Sequence, residues 1–135
     1  MKIREIMTAN VFTLSSDRHA DLAEDVMNWQ RIRHIPIVNG AEMLVGLVTH
    51  RDILSATIRA VQQYDETSRE SLRHVPIESI MQKKVITVAP DTDVREAASM
   101  MIDKKIGCLP VVQNDKLVGI VTEADFLKLA WEVLP

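Results

Sequence analysis

The chain reads as a mixed α/β protein built from two copies of one β-α-β-β-α unit. Three observations predict this. Residues 45–52, VGLVTHRD, return as residues 118–125, VGIVTEAD. At an offset of 74, REIMTANVFTLSSD (4–17) falls on ESIMQKKVITVAPD (78–91), and Pro36 falls on Pro110. The offset drops to 73 beyond the turn, because NGAEML is one residue longer than QNDKL, and turns tolerate such slips. An internal repeat sets the architecture before any other signal is weighed.

Each half presents its elements in the same order. Residues 11–14 and 85–88 alternate apolar and polar and read as short strands. Residues 19–31 and 93–104 follow with apolar positions at helical spacing: Leu22, Val26 and Met27 in one, Val94, Ala97, Ala98 and Met101 in the other. Residues 35–38 and 109–112 are short apolar strands. The turn signals Asn39-Gly40 and Asn114-Asp115 then lead to return strands at 44–48 and 117–121. A closing helix is predicted from Asp52 to about Tyr64 and from Asp125 to about Val133. The segment YDETSRESLRH is polar and reads as a linker, so the chain divides into 1–63, a linker 64–74, and 75–135. Neither half, at about 60 residues, buries enough apolar surface to be comfortable alone. The expected solution is two sheets packed face to face about a pseudo-twofold axis, with two equivalent clefts between them.

Composition narrows the class. Of 135 residues 47% are hydrophobic and 26% charged, a soluble globular balance. The net charge of −3 argues against nucleic acid as a partner, since such binders carry a basic face. The opening MKIREIMTANVF has no apolar run fit for a signal peptide or membrane span. Cys108 is the only cysteine, so no intrachain disulfide forms and a reducing compartment, the cytoplasm, is expected. His19, His34, His50 and His74 lack metal-ligand spacing, and Cys108 has no companion, so no metal site is expected. No nucleophile–base pair or phosphate-cradling glycine loop occurs among only four glycines, so no catalytic residue is assigned.

The doubled Thr-x-x-Asp has two readings. Thr49 ends a strand and starts a helix, so it is a natural N-cap with Asp52 at the third helical position. An acidic group in the first turn also suits the helix dipole. Capping therefore explains Thr49, Asp52, Thr122 and Asp125 without any ligand. It leaves Gly46 and Gly119 unexplained, because glycine inside a strand marks close approach by a ligand or another backbone.

The pattern Gly-apolar-apolar-Thr-x-x-Asp, preceded by an apolar-Pro-apolar-Val strand and a Met-Thr start, resembles the CBS (cystathionine β-synthase) domain. Two in tandem resemble the CBS pair, or Bateman module. The resemblance runs from Ile3 to about Leu129 and leaves no room for a catalytic domain, as in proteins that consist of little else. It implies an adenosyl ligand: AMP, ADP or ATP, or else S-adenosylmethionine or a dinucleotide such as NAD, with no cofactor required. It further implies that Asp52 with Thr49, and Asp125 with Thr122, take the ribose. An ionised carboxylate accepts from both hydroxyls of a cis-diol, and a helix N-terminus offers free N–H groups to an anion. Phosphate is expected at Arg33, His34 and Arg51, with Arg31 and, in the second half, Lys105. Gly107, Cys108 and Ala124 stand at the counterparts of Arg33, His34 and Arg51, so the two sites are expected to be unequal. Adenine is expected against Val11, Ile35, Pro36, Val85, Leu109 and Pro110.

The last helix, DFLKLAWEVLP, has almost no polar face and must be covered. With Ile53, Leu54, Ile58 and Val61 it reads as a homodimer surface. The leading function is a non-enzymatic regulatory module that binds adenine nucleotides and signals to a partner protein. The alternative is a scaffold whose nucleotide sites are vestigial and whose Thr and Asp serve only as caps.

Overall fold

A computed structural model describes residues 1–135. The helices and strands run in the order α1 (Ala20–Gln30), β1 (His34–Val38), β2 (Leu44–Thr49), α2 (His50–Tyr64) and α3 (Ser68–Leu72). They continue with α4 (Val94–Lys104), β3 (Cys108–Gln113), β4 (Lys116–Thr122) and α5 (Glu123–Val133). Short 3-10 turns at Ile3–Glu5 and Ile77–Ser79 open the two repeats. Each repeat holds one antiparallel hairpin, β1 with β2 and β3 with β4, in matching register: Pro36 opposes Leu47 and Pro110 opposes Ile120. The mixed α/β class read from the sequence is what the structure shows.

The opening strands contract to single bridges. Leu14 pairs in parallel with Ile37, and Val88 with Val111. Leu14 N–H donates to the Pro36 carbonyl (3.3 Å) and Val38 N–H to the Leu14 carbonyl (3.0 Å). The next bond of that ladder would come from the N–H of residue 36, which proline lacks. Pro110 ends the second opening strand in the same way. In the β3–β4 turn, Asn114 and Asp115 both have positive φ (52° and 66°), the form a two-residue hairpin requires. The first turn is longer. There Asn39 works through its side chain, accepting from the amides of Ala41 and Met43 at 2.9 and 3.0 Å.

The chain forms two compact units, and only one is continuous in sequence. Phe12–Val85 makes the continuous unit; Met1–Val11 joins Ile86–Pro135 in the split unit. The segments that open each repeat are exchanged. Thr8 bridges Ile120 of β4 in the split unit, and Gln82 bridges Leu47 of β2 in the continuous one. Both are reciprocal backbone pairs of 2.8–2.9 Å. Ile3 is fully buried with Val94, Ala97, Leu109, Val111 and Val121. Ile77 is buried likewise with Ala20, Ala23, Ile35, Ile37 and Val48.

The polar stretch 64–74 is structured. Thr67 caps α3, and Arg69 pairs bidentately with Asp25 of α1, one bond measuring 2.7 Å. That hydrogen bond raises the already high pKa of the Arg69 guanidinium. Leu72 is fully buried in the core that holds Ala20, Ala23, Met27, Ile53 and Ala56. Ser71 beside it is also fully buried, and its hydroxyl has no hydrogen-bond partner. An orphaned buried hydroxyl costs about 1–3 kcal/mol, and alanine is the better helix former. Ser71→Ala is therefore expected to stabilise the protein by about 1 kcal/mol. Urea unfolding checks this, and a midpoint at or below wild type contradicts it.

Candidate ligand site

Thr49 and Asp52 form a complete capping box at the start of α2. The Asp52 amide donates to the Thr49 hydroxyl (3.3 Å) while the Thr49 amide donates to the Asp52 carboxylate (2.8 Å). The capping reading of the motif is thus correct as far as it goes. It uses half of the carboxylate. The Thr49 amide, the Thr49 hydroxyl (3.0 Å) and the Gln82 side-chain amide (3.3 Å) all converge on Oδ2. Oδ1 accepts none of them, and Asp52 is partly exposed.

Asp125 is placed differently. Its Oδ2 accepts from the Thr122 amide (2.9 Å) and hydroxyl (3.4 Å), and its Oδ1 accepts from the Thr8 hydroxyl (3.2 Å). Asp125 is only 6% exposed. Both oxygens are engaged and the residue is buried, which is what a cap needs and leaves little for a ligand. Thr8 and Gln82 occupy matching places 74 apart in sequence; the Met-Thr start includes Thr8, but the sequence gives neither residue a role at the carboxylates. The signal was there: each follows the Met of the Ile-Met pair that opens its repeat.

The two glycines answer to these same segments. A Cβ at Gly46 would lie 2.6 Å from the Met81 sulfur and 3.1 Å from the Gln82 carbonyl oxygen. At Gly119 it would lie 2.7 Å from the Met7 sulfur and 3.0 Å from the Thr8 carbonyl oxygen. Of the two causes that a strand glycine suggests, the approach of another backbone applies here. It is the bare Cα that seats Gln82 and Thr8 beside the carboxylates.

Charge separates the two helix starts further. His50 and Arg51 occupy the first turn of α2 and are exposed, and the His50 amide donates to the Arg33 carbonyl (2.8 Å). At α5 the corresponding places hold Glu123 and Ala124, and the Glu123 amide donates to the Gly107 carbonyl (3.2 Å). His34 lies opposite Thr49 in the β1–β2 register and is partly buried. Arg31 and Lys105 are exposed left-handed C-caps, of α1 and α4 respectively, with φ of 53° and 54°. The continuous unit thus gathers Arg31, Arg33, His34, Arg51, Thr49 and Asp52. The split unit gathers Lys105, Thr122 and Asp125.

Ile35, Pro36, Leu109 and Pro110 are fully buried in the cores of their hairpins. Val11 and Val85 are partly exposed, and the segment exchange places Val11 in the split unit and Val85 in the continuous one. Cys108 is buried, which pushes its thiol pKa up to about 12 and keeps it protonated and unreactive. No three His, Cys, Asp or Glu side chains cluster to hold a metal ion, and no helix is long and apolar enough to cross a membrane.

Comparison with known proteins agrees with this fold. The family model described as the CBS domain matches twice, over residues 3–59 and 77–132. An uncharacterized 33.4 kDa protein in a ribosomal RNA operon of Thermofilum pendens is 40% identical over 129 residues. That match covers 94% of this chain and 43% of the relative, so the chain spans less than half of that protein. A CBS domain-containing protein of Dictyostelium discoideum is 32% identical over 98% of this chain and 92% of its own length. Among solved structures, a putative acetoin utilization protein (AcuB) from Vibrio cholerae superposes with a TM-score of 0.89. It is 36% identical, and the match covers 99% of this chain and 94% of that one. The CBS domain pair of protein MJ0100, solved in complex with 5'-methylthioadenosine and S-adenosyl-L-methionine, gives a TM-score of 0.81. It is 28% identical over 98% of this chain and 97% of that one. Two matched repeats with superposable folds over nearly the whole chain place this protein in the CBS-domain family, as a tandem pair.

Proposed function

We propose that the chain is a regulatory CBS pair that binds an adenosyl ligand and signals its occupancy to a partner protein. The observation that carries this reading is the half-used carboxylate of Asp52, whose Oδ1 is left to accept while a basic first turn lies beside it. In this reading Asp52 and Thr49 hold the ribose, and Arg33, His34 and Arg51, with Arg31 near, meet phosphate. The adenine lies against the Ile35-Pro36 strand and Val85. The second set, Thr122, Asp125 and Lys105 with Leu109, Pro110 and Val11, takes a less charged adenosyl ligand or stays empty. The adenosyl compounds bound by MJ0100 support the ligand class. AMP, ADP or ATP suits the basic set.

A cytoplasmic homodimer completes the proposal. Leu54 and Ile58 on α2 are 52% and 63% exposed, and Leu127 and Trp131 on α5 are 70% and 84% exposed. Such stripes favour burial against a second copy. Ile53, expected on that surface from the sequence, turns inward and is 2% exposed.

The test is calorimetric titration with AMP, ATP and S-adenosylmethionine. Asp52→Ala is expected to lose about 1.5–3 kcal/mol of binding, roughly 10- to 100-fold in affinity, because a charged hydrogen bond to ribose goes. Its stability cost is that of a first-turn carboxylate, about 0.3–1 kcal/mol. Asp125→Ala should do the reverse, lowering the melting temperature while leaving the tighter site intact. Arg33→Ala should weaken nucleotide binding more than Lys105→Ala. Unchanged affinity in Asp52→Ala with a lower melting temperature would leave only the scaffold reading, in which both motifs are caps.

A further inference from the structure

The two aspartates share a backbone frame. In the continuous unit the Gln82 amide and carbonyl pair with Leu47 at 2.8 and 2.9 Å, and in the split unit those of Thr8 pair with Ile120 at the same distances. Each pair runs beside a glycine, Gly46 or Gly119, and each aspartate closes a capping box with its threonine. The side chain at the matched place is what differs. Gln82 Nε2 donates to Oδ2 of Asp52 (3.3 Å), the oxygen that already takes the Thr49 amide and hydroxyl. The Thr8 hydroxyl donates to Oδ1 of Asp125 (3.2 Å), the oxygen that the Thr122 amide and hydroxyl leave open.

Counting acceptors gives this difference a chemical meaning. An ionised carboxylate has about two acceptor positions on each oxygen. Gln82 adds its donor to an oxygen already engaged, and none of the three donors on Oδ2 reaches Oδ1 of Asp52. Both positions on that oxygen are left for the two hydroxyls of a cis-diol. Thr8 takes one of the two positions on Asp125 Oδ1, which leaves room for one hydroxyl. Burial runs the same way, with Asp125 6% exposed and Asp52 more open.

We propose that Gln82 and Thr8 are positioning residues that set the ribose selectivity of the two sites. Gln82 leaves Asp52 able to grip a cis-diol, and Thr8 restricts Asp125 to a single hydroxyl. This inference rests on the reading of Asp52 as the ribose holder, and adds what makes the twin motif of the split unit a poorer one. The second site is held back by one donor, so removing that donor should restore it.

Adenosine and 2',3'-dideoxyadenosine test this, because they differ only in the diol and carry no phosphate for the basic groups to meet. Chemical-shift titration of the intact protein, followed at the amides of Asp52 and Asp125, reads the two sites separately. Wild type should prefer adenosine at Asp52 by at least about tenfold, the factor for a hydrogen bond to a charged group, and by less at Asp125. Thr8→Val keeps the side-chain shape and the backbone pair but removes the donor. It should raise the preference at Asp125 about tenfold and leave that at Asp52 unchanged. Gln82→Thr, which gives the continuous unit the hydroxyl of the other, should lower the preference at Asp52 about tenfold. Thr8 and Gln82 are both exposed, so neither change opens a core, and a merely structural effect would weaken both nucleosides alike. A preference at Asp125 unmoved by Thr8→Val, no adenosine binding there in that variant, or a preference at Asp52 unmoved by Gln82→Thr would overturn the proposal. Asp52→Ala tells its failure from that of the ribose reading. If that variant abolishes the wild-type preference while the other two change nothing, only the roles of Thr8 and Gln82 fall. If wild type shows no preference at Asp52, the ribose reading falls and takes this proposal with it.

Discussion

Leu72→Ala is expected to destabilise the protein by about 2–5 kcal/mol, the range for truncating a fully buried leucine in a core that cannot collapse around the gap. Leu72 is 0% exposed and lies among Ala20, Ala23, Met27 and Ala56. Three of those are alanines, so few side chains can swing into the space it leaves. Loss of the anchor should also free α3, because the Arg69–Asp25 pair is half exposed on the arginine side and holds little alone. Chemical denaturation measures the total cost, and hydrogen exchange at residues 67–74 measures the local release. A cost below about 1 kcal/mol, typical of a surface change, would mean that the 64–74 stretch is a tether and not part of the core.

Ile3→Ala is expected to cost about 2–5 kcal/mol as well, and where it acts is more telling than its size. Ile3 belongs by sequence to the first repeat, yet it is buried against Leu109, Val111 and Val121 of the second. Hydrogen exchange should therefore accelerate in β3 and β4 before β1 and β2. Ile77→Ala should show the mirror pattern, weakening β1 and β2 through Ile35, Ile37 and Val48. If Ile3→Ala instead loosened β1 and β2, the exchange of opening segments would be refuted.

Much of this architecture is legible in the chain because the signals are local and doubled. Pro36 with Pro110, Thr49-x-x-Asp52 with Thr122-x-x-Asp125, and the alternating turns mark hairpins and helix starts over a few residues each. The capping box needs only three residues of spacing to be read. Other features resist because their cause is distant. Nothing within the stretch Ile6-Met7-Thr8 shows that it pairs with Ile120, since a one-residue bridge leaves no periodic trace. The purpose of Gly119 is invisible until Met7 is seen against it. Leu72 is a single apolar residue in a polar stretch, and period-based reading cannot weigh one residue. The two aspartates look alike in sequence; burial and the partner at Oδ1 tell them apart.

The exchanged segments also set a timetable for synthesis. Gln82 meets Asp52 across 30 positions, whereas Thr8 meets Asp125 across 117. On a ribosome adding about 5–20 residues per second, the continuous unit has all its parts once Val85 has emerged. The split unit keeps its first eleven residues idle until its last strand appears, and closing so long a loop slows the step further. Stalled chains ending past Val85 should therefore resist protease through Phe12–Val85 while Met1–Val11 is still cut. Protection that instead arrives everywhere at once would show that the two units mature together. During that interval Ile3 has no core to enter, and the nascent chain is most open to wrong partners there.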